Sequence, residues 1–308
     1  PDLPISDEFG YTTVTGIRVV LRSRLQLAYG TSLLPAGDAE KDNQVVCLAQ
    51  IFDSLNANTS SSFAARVTKE SEFSSSQVAD FVAARFDGTD SDTNADSIKQ
   101  AMALSNYLLN AANCTLAPDC AALNRKGCAS TAHTCGECVS DEYVGESGNS
   151  NEACLLEATA AKLFIGIGSS AARLSTSDMT KQCAANCSGH GSCYHVWRDS
   201  QQIIPPEDPP CLSGADNCVA VCDCEPEFYG SDTCDLSTED FQARQSSRAA
   251  VLTGLERLVA LENADEQVVS GWANSISQVC QVSSELTGDS ALSVLNIVDI
   301  ITSTTNDL

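Results

Sequence analysis

The segment from Cys183 to Cys234 constrains this chain more than any other. It reads K-Q-C-A-A-N-C-S-G-H-G-S-C-Y-H, then a long gap, then C-D-C-E-P-E-F-Y-G-S-D-T-C. The spacing is Cys-x3-Cys-x5-Cys, the gap, then Cys-x-Cys-x9-Cys. Of the chain's 16 cysteines, only Cys47 precedes position 114 and only Cys280 follows position 234. Zinc sites built from cysteine use matched C-x2-C knuckles with nearby histidines. Here one such knuckle occurs, Cys135 and Cys138, with 3 histidines in the whole chain. The cysteines therefore read as a disulfide framework in a secretory or extracellular setting, with no metal expected.

A length of 308 residues allows about two to three domains and a sizeable core. The net charge of -24, from 41 acidic against 17 basic residues, leaves little to neutralise phosphates and excludes nucleic acid as the expected partner. It also disfavours anionic membrane surfaces. No apolar run is long enough to cross a bilayer, so no transmembrane segment is expected. The chain opens on Pro1 without a signal-peptide pattern and closes on T-S-T-T-N-D-L, as in the ordered part of a processed or longer polypeptide.

The expected fold class is α+β and disulfide-rich. Residues 1–113 read as an N-terminal α+β region, opening on an extended arm over 1–10. One or two strands follow over 11–29, with Arg18, Arg22 and Arg24 between apolar residues, as for an edge held against an acidic neighbour. Helical spacing is read over 42–56, around Cys47, and a polar loop after it holds Asn58. Further helices are expected over 76–86 and 97–112, the latter capped by Asp96. The acidic turn between them, D-G-T-D-S-D-T-N-A-D, lacks the Gly and Glu positions of an EF-hand. Residues 114–154 form a first cysteine block, 155–182 a spacer with the apolar patch L-F-I-G-I-G, and 183–234 the second block. Residues 235–308 read as a C-terminal three-helix bundle: about 237–261, 265–282 and 289–302, capped by Ser237, Asp265 and Asp289, with Gly288 breaking the chain before the last.

The second block resembles an epidermal-growth-factor-like (EGF-like) module. Cys183, Cys187, the turn Ser188-Gly189-His190-Gly191, Cys193, then Cys222-x-Cys224 and Phe228-Tyr229-Gly230 before Cys234 carry the resemblance. The family's pairing order implies Cys183–Cys193, Cys187–Cys222 and Cys224–Cys234. An insert of about 28 residues between Cys193 and Cys222 departs from the family, and Cys211 and Cys218 within it would pair with each other. The calcium-binding form of the module needs acidic and amide residues before its first cysteine. S-D-M-T-K-Q does not supply them, so no calcium is expected. The first block matches the same pattern more loosely. The implied pairs there are Cys114–Cys128, Cys120–Cys135 and Cys138–Cys154, with Tyr143-Val144-Gly145 before the last cysteine. By arithmetic Cys47 is left to pair with Cys280. Two other arrangements stay open: each bonds another copy of the chain, or Cys47 takes Cys114 and shifts the first block.

The phrase P-D-C-A-A-L-N-R-K-G-C, followed by H-T-C-G-E-C, Y-V-G-E, N-E-A-C and C-S-G-H-G-S-C, also resembles large protist cell-surface proteins of the receptor-for-egg-jelly and polycystin-like group, over roughly residues 118–300. Flagellar-hair (mastigoneme) glycoproteins likewise carry EGF-like modules. The resemblance implies an extracellular structural or adhesive glycoprotein that assembles with other extracellular proteins or with copies of itself in a cell-surface structure or filament. The alternative is the ligand-binding ectodomain of a membrane receptor or polycystin-like channel, acting through the inserted loop 196–217.

Three sequons, at Asn58, Asn113 and Asn186, are the candidate glycan sites. Trp197 on the insert is the candidate interface anchor, whereas Trp272 reads as packed. No enzyme is expected and no cofactor: catalysis by a Ser/His/Asp set must use His133, His190 or His195, all within the cysteine blocks, and no G-x-S-x-G occurs. With every cysteine paired, no thiolate nucleophile is left.

Overall fold

Four segments within the first 66 residues pair as strands. In the computed structural model the described residues are 4–13, 16, 18–37, 41–68, 74–86, 94–156, 180–206, 208–212, 215 and 217–307. Strands β1 (Ser6–Thr12), β2 (Arg18–Leu25), β3 (Gln44–Phe52) and β4 (Asn58–Arg66) form one antiparallel sheet in the order β2-β1-β3-β4. Three expectations are corrected here. The arm over 1–10 contributes β1, the helix read over 42–56 is β3, and the polar loop at Asn58 is β4. Val45, Val46, Leu48, Ile51 and Phe52 satisfy helical and strand spacing alike. The β-branched residues and the hairpin turn at Asp53, whose carboxylate accepts from the N–H groups of Leu55 and Ala57 (both 2.9 Å), decide for the strand.

The chain divides into two compact units: Pro1–Asn110 with Gln242–Leu308, and Ala111–Phe241. In the first unit, helices α1 (Ser75–Phe86), α2 (Ala95–Leu109), α3 (Thr238–Leu261, from its second turn), α4 (Glu266–Val279) and α5 (Gly288–Asp307) share one core. The C-terminal helices therefore do not close a bundle of their own. Val82, Ile98, Met102, Leu109, Val251, Leu252, Leu255, Trp272 and Ile297 interleave from all five. Helix α2 is buried on two sides, with Ile98 and Met102 in the helical core and Ala103 against Tyr11, Leu21 and Val45 of the sheet. That placement explains its long apolar and small-residue run. Burial pushes the Tyr11 phenol up to about 12.

Capping follows short polar side chains, with two shifts. The Asn94 side chain caps α2 by accepting from Ser97 N–H at 2.9 Å, which frees Asp96 to accept from the Ser23 N–H of β2 at 2.9 Å. Thr287, rather than Asp289, caps α5, through Ser290 N–H at 3.1 Å, and Gly288 is the first helical residue. Ser237 and Asp265 cap α3 and α4 as expected. The three arginines of β2 are used internally. Arg18 and Arg24 pair with Glu8 of β1, and Arg24 also lies over the Phe52 ring, 3.4 Å from its centroid.

Among its described residues the second unit holds two short hairpins, β5 (Tyr143–Val144) with β6 (Leu155–Leu156) and β7 (Gly191–Trp197) with β8 (Cys218–Cys224), and seven disulfides. The class is mixed α+β with a C-terminal helical region. The acidic turn over 87–93 and the apolar patch of the spacer lie outside the described residues. Among the described residues no helix is long and apolar enough to cross a membrane.

Candidate functional site

Disulfides take the place of a core in the second unit. They join Cys114 to Cys128, Cys120 to Cys135 and Cys138 to Cys154, then Cys183 to Cys193, Cys187 to Cys222, Cys211 to Cys218 and Cys224 to Cys234. Around the second block, Cys183, Cys187 and Cys234 form the buried centre, with Phe228 packed on it. The chain reaches β7 through a left-handed turn in which Ala185, Asn186, Cys187 and Ser188 all have φ between 45° and 55°. L-residues are held there at a cost of roughly 1–2 kcal/mol each. The bonds of Cys183 and Cys187 clamp the turn, and the Ser188 hydroxyl donates to Thr233 O at 2.8 Å. At Gly191 a Cβ would stand 2.6 Å from Asp223 O and 2.9 Å from Cys234 Sγ, so the strand pair closes only on glycine. The His190 ring stacks on Phe228 at 3.7 Å, which makes it part of the joint.

The insert lengthens the β7–β8 hairpin. Its strands run in register from Gly191 opposite Cys224 to Trp197 opposite Cys218. Beyond Trp197 the chain folds back on itself, with Ile204 N–H donating to His195 O at 2.9 Å, and Cys211 is tied to Cys218. Trp197 is half-buried at the end of the ladder. With Arg198, Asp199, Ser200 and Asn217 it lines an open depression of about 600 Å³. An aromatic body beside amide, carboxylate and guanidinium groups can contact a protein surface or a polar ligand.

Two basic residues that sequence reasoning passed over organise this unit. Arg125 is 2 % exposed, and its guanidinium donates to the carbonyls of Gly136 (3.0 Å), Gly148 (2.9 Å), Glu146 (2.9 Å) and Glu152. It gathers the loop that Cys138–Cys154 closes. Burial lowers its pKa, opposed by Glu146 and Glu152. Lys181, buried just before Cys183, pairs with Glu146 of the first block at 2.6 Å, while its carbonyl meets His195 Nε2 at 2.8 Å. For Arg125 the available signal was a basic residue inside a cysteine block too poor in apolar side chains to fill its own centre; Lys181, in the spacer, had none.

The remaining expected sites are scattered. Asn58 begins β4, Asn113 precedes Cys114, and Asn186 lies in the left-handed turn; all three are exposed. The Asn113 side-chain oxygen accepts from the Thr115 hydroxyl at 2.8 Å, so two sequon residues already bond each other. His133 is buried, with its Nδ1 accepting from Leu116 N–H at 3.4 Å. The three histidines thus belong to three different local settings.

The expected Cys47–Cys280 bond does not form, and both thiols are free and half-buried. Cys47 lies in the sheet, opposite Tyr11 and Phe63, whereas Cys280 ends α4 against the helical core. The expectation that no free thiol remains is corrected with it. Burial raises the pKa of both, with Arg248 opposing the shift at Cys280, so at neutral pH each is held as the thiol. The sulfurs of Cys183, Cys187 and Cys222 cluster within 4.8 Å, but all three are disulfide-bonded and offer no thiolate to a metal.

No family model, curated protein or solved structure matches this chain.

Proposed function

We propose that this chain is a segment of an extracellular structural or adhesive glycoprotein, and that the two cysteine blocks are EGF-like modules acting as stiff joints. The observation that carries the reading is the concentration of all seven disulfides between Cys114 and Cys234. Such bonds persist in oxidising compartments and limit how far a segment extends under load. The pairing within each block supports the EGF-like reading. So does the Gly191 contact that closes the hairpin. Exposed Leu292 and Leu295 on α5 and the half-buried Trp197 on the insert support protein–protein contact. The role proposed is assembly with extracellular partners or with copies of the chain, without catalysis.

Sedimentation of the native glycoprotein under non-reducing conditions tests this. Association that rises with concentration, in material recovered from the cell surface, is the expected result. Recovery in the cytosol with reduced cysteines contradicts it. A strictly monomeric chain that binds a ligand through the Trp197 depression favours a receptor or channel ectodomain instead.

A further inference from the structure

The two edges of the N-terminal sheet are treated differently. At β2 the edge is covered by α2. Asp96 accepts from Ser23 N–H at 2.9 Å, Gln100 donates to Leu21 O at 3.1 Å, and Lys99 reaches the Ser23 hydroxyl at 2.8 Å. The β4 edge is exposed, and among the described residues no strand or helix pairs with it. Among the described residues, no hydrogen bond is made to the outer side of the strand. β4 pairs with β3 over nine consecutive positions without a bulge, from Asn58 opposite Phe52 to Arg66 opposite Gln44. It contains no proline, no lysine and no acidic residue, and eight of its nine residues are exposed. Natural sheets blunt such an edge with charge, proline, a bulge or a cover. This one has Arg66 alone, at its end.

We propose that β4 is the surface on which two copies of this chain join, by antiparallel β4–β4 pairing that makes one continuous eight-stranded sheet. The proposal rests on the assembly reading above and names the surface it would use. Strand addition supplies main-chain hydrogen bonds, and the side chains set the register. A two-fold axis through Ser62 engages all nine residues, with Asn58 of one copy opposite Arg66 of the other. Phe63, which is 73 % exposed, is the single large apolar residue of the strand. In this register it lies opposite the other copy's Ser61 and diagonal to the other copy's Phe63, roughly 7–8 Å away, within reach of two aromatic rings. The strand's own sequence thus covers its one exposed aromatic side chain, as an isologous interface requires. The absence of acidic residues along β4 lets two chains of net charge -24 approach there without direct local opposition. A glycan on Asn58 would stand at the ends of the paired strands, away from the axis.

Ser62 gives a direct test, because the axis sets it against itself and its exposure lets it change without disturbing the fold. Sedimentation velocity of the full chain over a concentration series should show a dimer. Ser62→Lys and Ser62→Glu should each weaken the dimer at least about tenfold, since like charges then face each other. An equimolar mixture of the two variants should restore it, while circular dichroism stays unchanged. If both variants associate as the unaltered chain does, assembly stands and β4 is not its surface. If the unaltered chain is monomeric throughout, the proposal falls, and of the assembly reading only the branch that joins copies of the chain falls with it.

Discussion

Arg248 is fully buried between three helices of the first unit. Its Nε donates to Glu285 at 2.5 Å, Nη1 to Val279 O at 2.8 Å and to Asn110 Oδ1 at 3.1 Å, and Nη2 to Leu109 O at 3.1 Å. Arg244 takes the other oxygen of Glu285 and shares Leu109 O. The carbonyls that α2 and α4 leave unpaired at their C-termini are thereby satisfied inside the core. Breaking such a pair from one side leaves an uncompensated charge. Arg248→Met should therefore cost about 3–5 kcal/mol, read as a lowered urea midpoint of the helical signal. In the second unit, Arg125→Met should orphan four carbonyls at about 1–3 kcal/mol each and lower the yield of correctly paired Cys138–Cys154 on oxidative refolding. Neither arginine was legible in the sequence, because hydropathy places arginine outside and only the converging carbonyls bring it in. The free thiols make a third expectation at this scale. Burial raises the pKa of both, so thiolate is scarce at pH 7, and iodoacetamide should alkylate Cys47 and Cys280 more slowly than a model thiol, the rate climbing as pH is raised. Alkylation at the model rate at pH 7 would contradict their half-buried placement.

At the level of elements, helices were easier to read than strands. The stripe Val251, Leu252, Leu255, Leu258 of α3 and the cap at Asp265 stand in the sequence as they stand in the fold. Strand β3 did not, since its apolar residues between Val45 and Phe52 fit either period and only its pairing with β1 and β4 decides. β4 was hidden by composition, its run of Asn, Thr and Ser reading as a loop. The pairs that the EGF-like resemblance implied within each block are those the structure joins; spacing alone left the connectivity open. Cys47 and Cys280 lie outside both blocks, and arithmetic alone could not place them. Helix packing yields a further prediction. A Cβ on Gly254 of α3 would lie 2.4 Å from the Phe86 ring of α1. Gly254→Ala should overpack that contact and destabilise the first unit by about 1–3 kcal/mol in denaturant, despite alanine's better helix propensity. A gain in stability would show that α1 and α3 leave room for a methyl group at this contact.

On the scale of the whole molecule, the two units are held by different physics. The first holds the sheet, α1, α2, α4, α5 and all but the first turn of α3, and none of its described residues is in a disulfide. The second carries all seven disulfides around a small buried centre. Reduction should therefore unfold the second unit while the far-ultraviolet helical signal of the first persists. Loss of that signal on reduction would mean that the first unit depends on the second. The functional account depends above all on the oxidised framework, and peptide mapping of the native protein without reduction tests it most directly. Seven linked pairs confined to Cys114–Cys234 are expected, with Cys47 and Cys280 recovered as free thiols. Reduced cysteines across Cys183–Cys234, or a Cys47–Cys280 linked peptide, would contradict it.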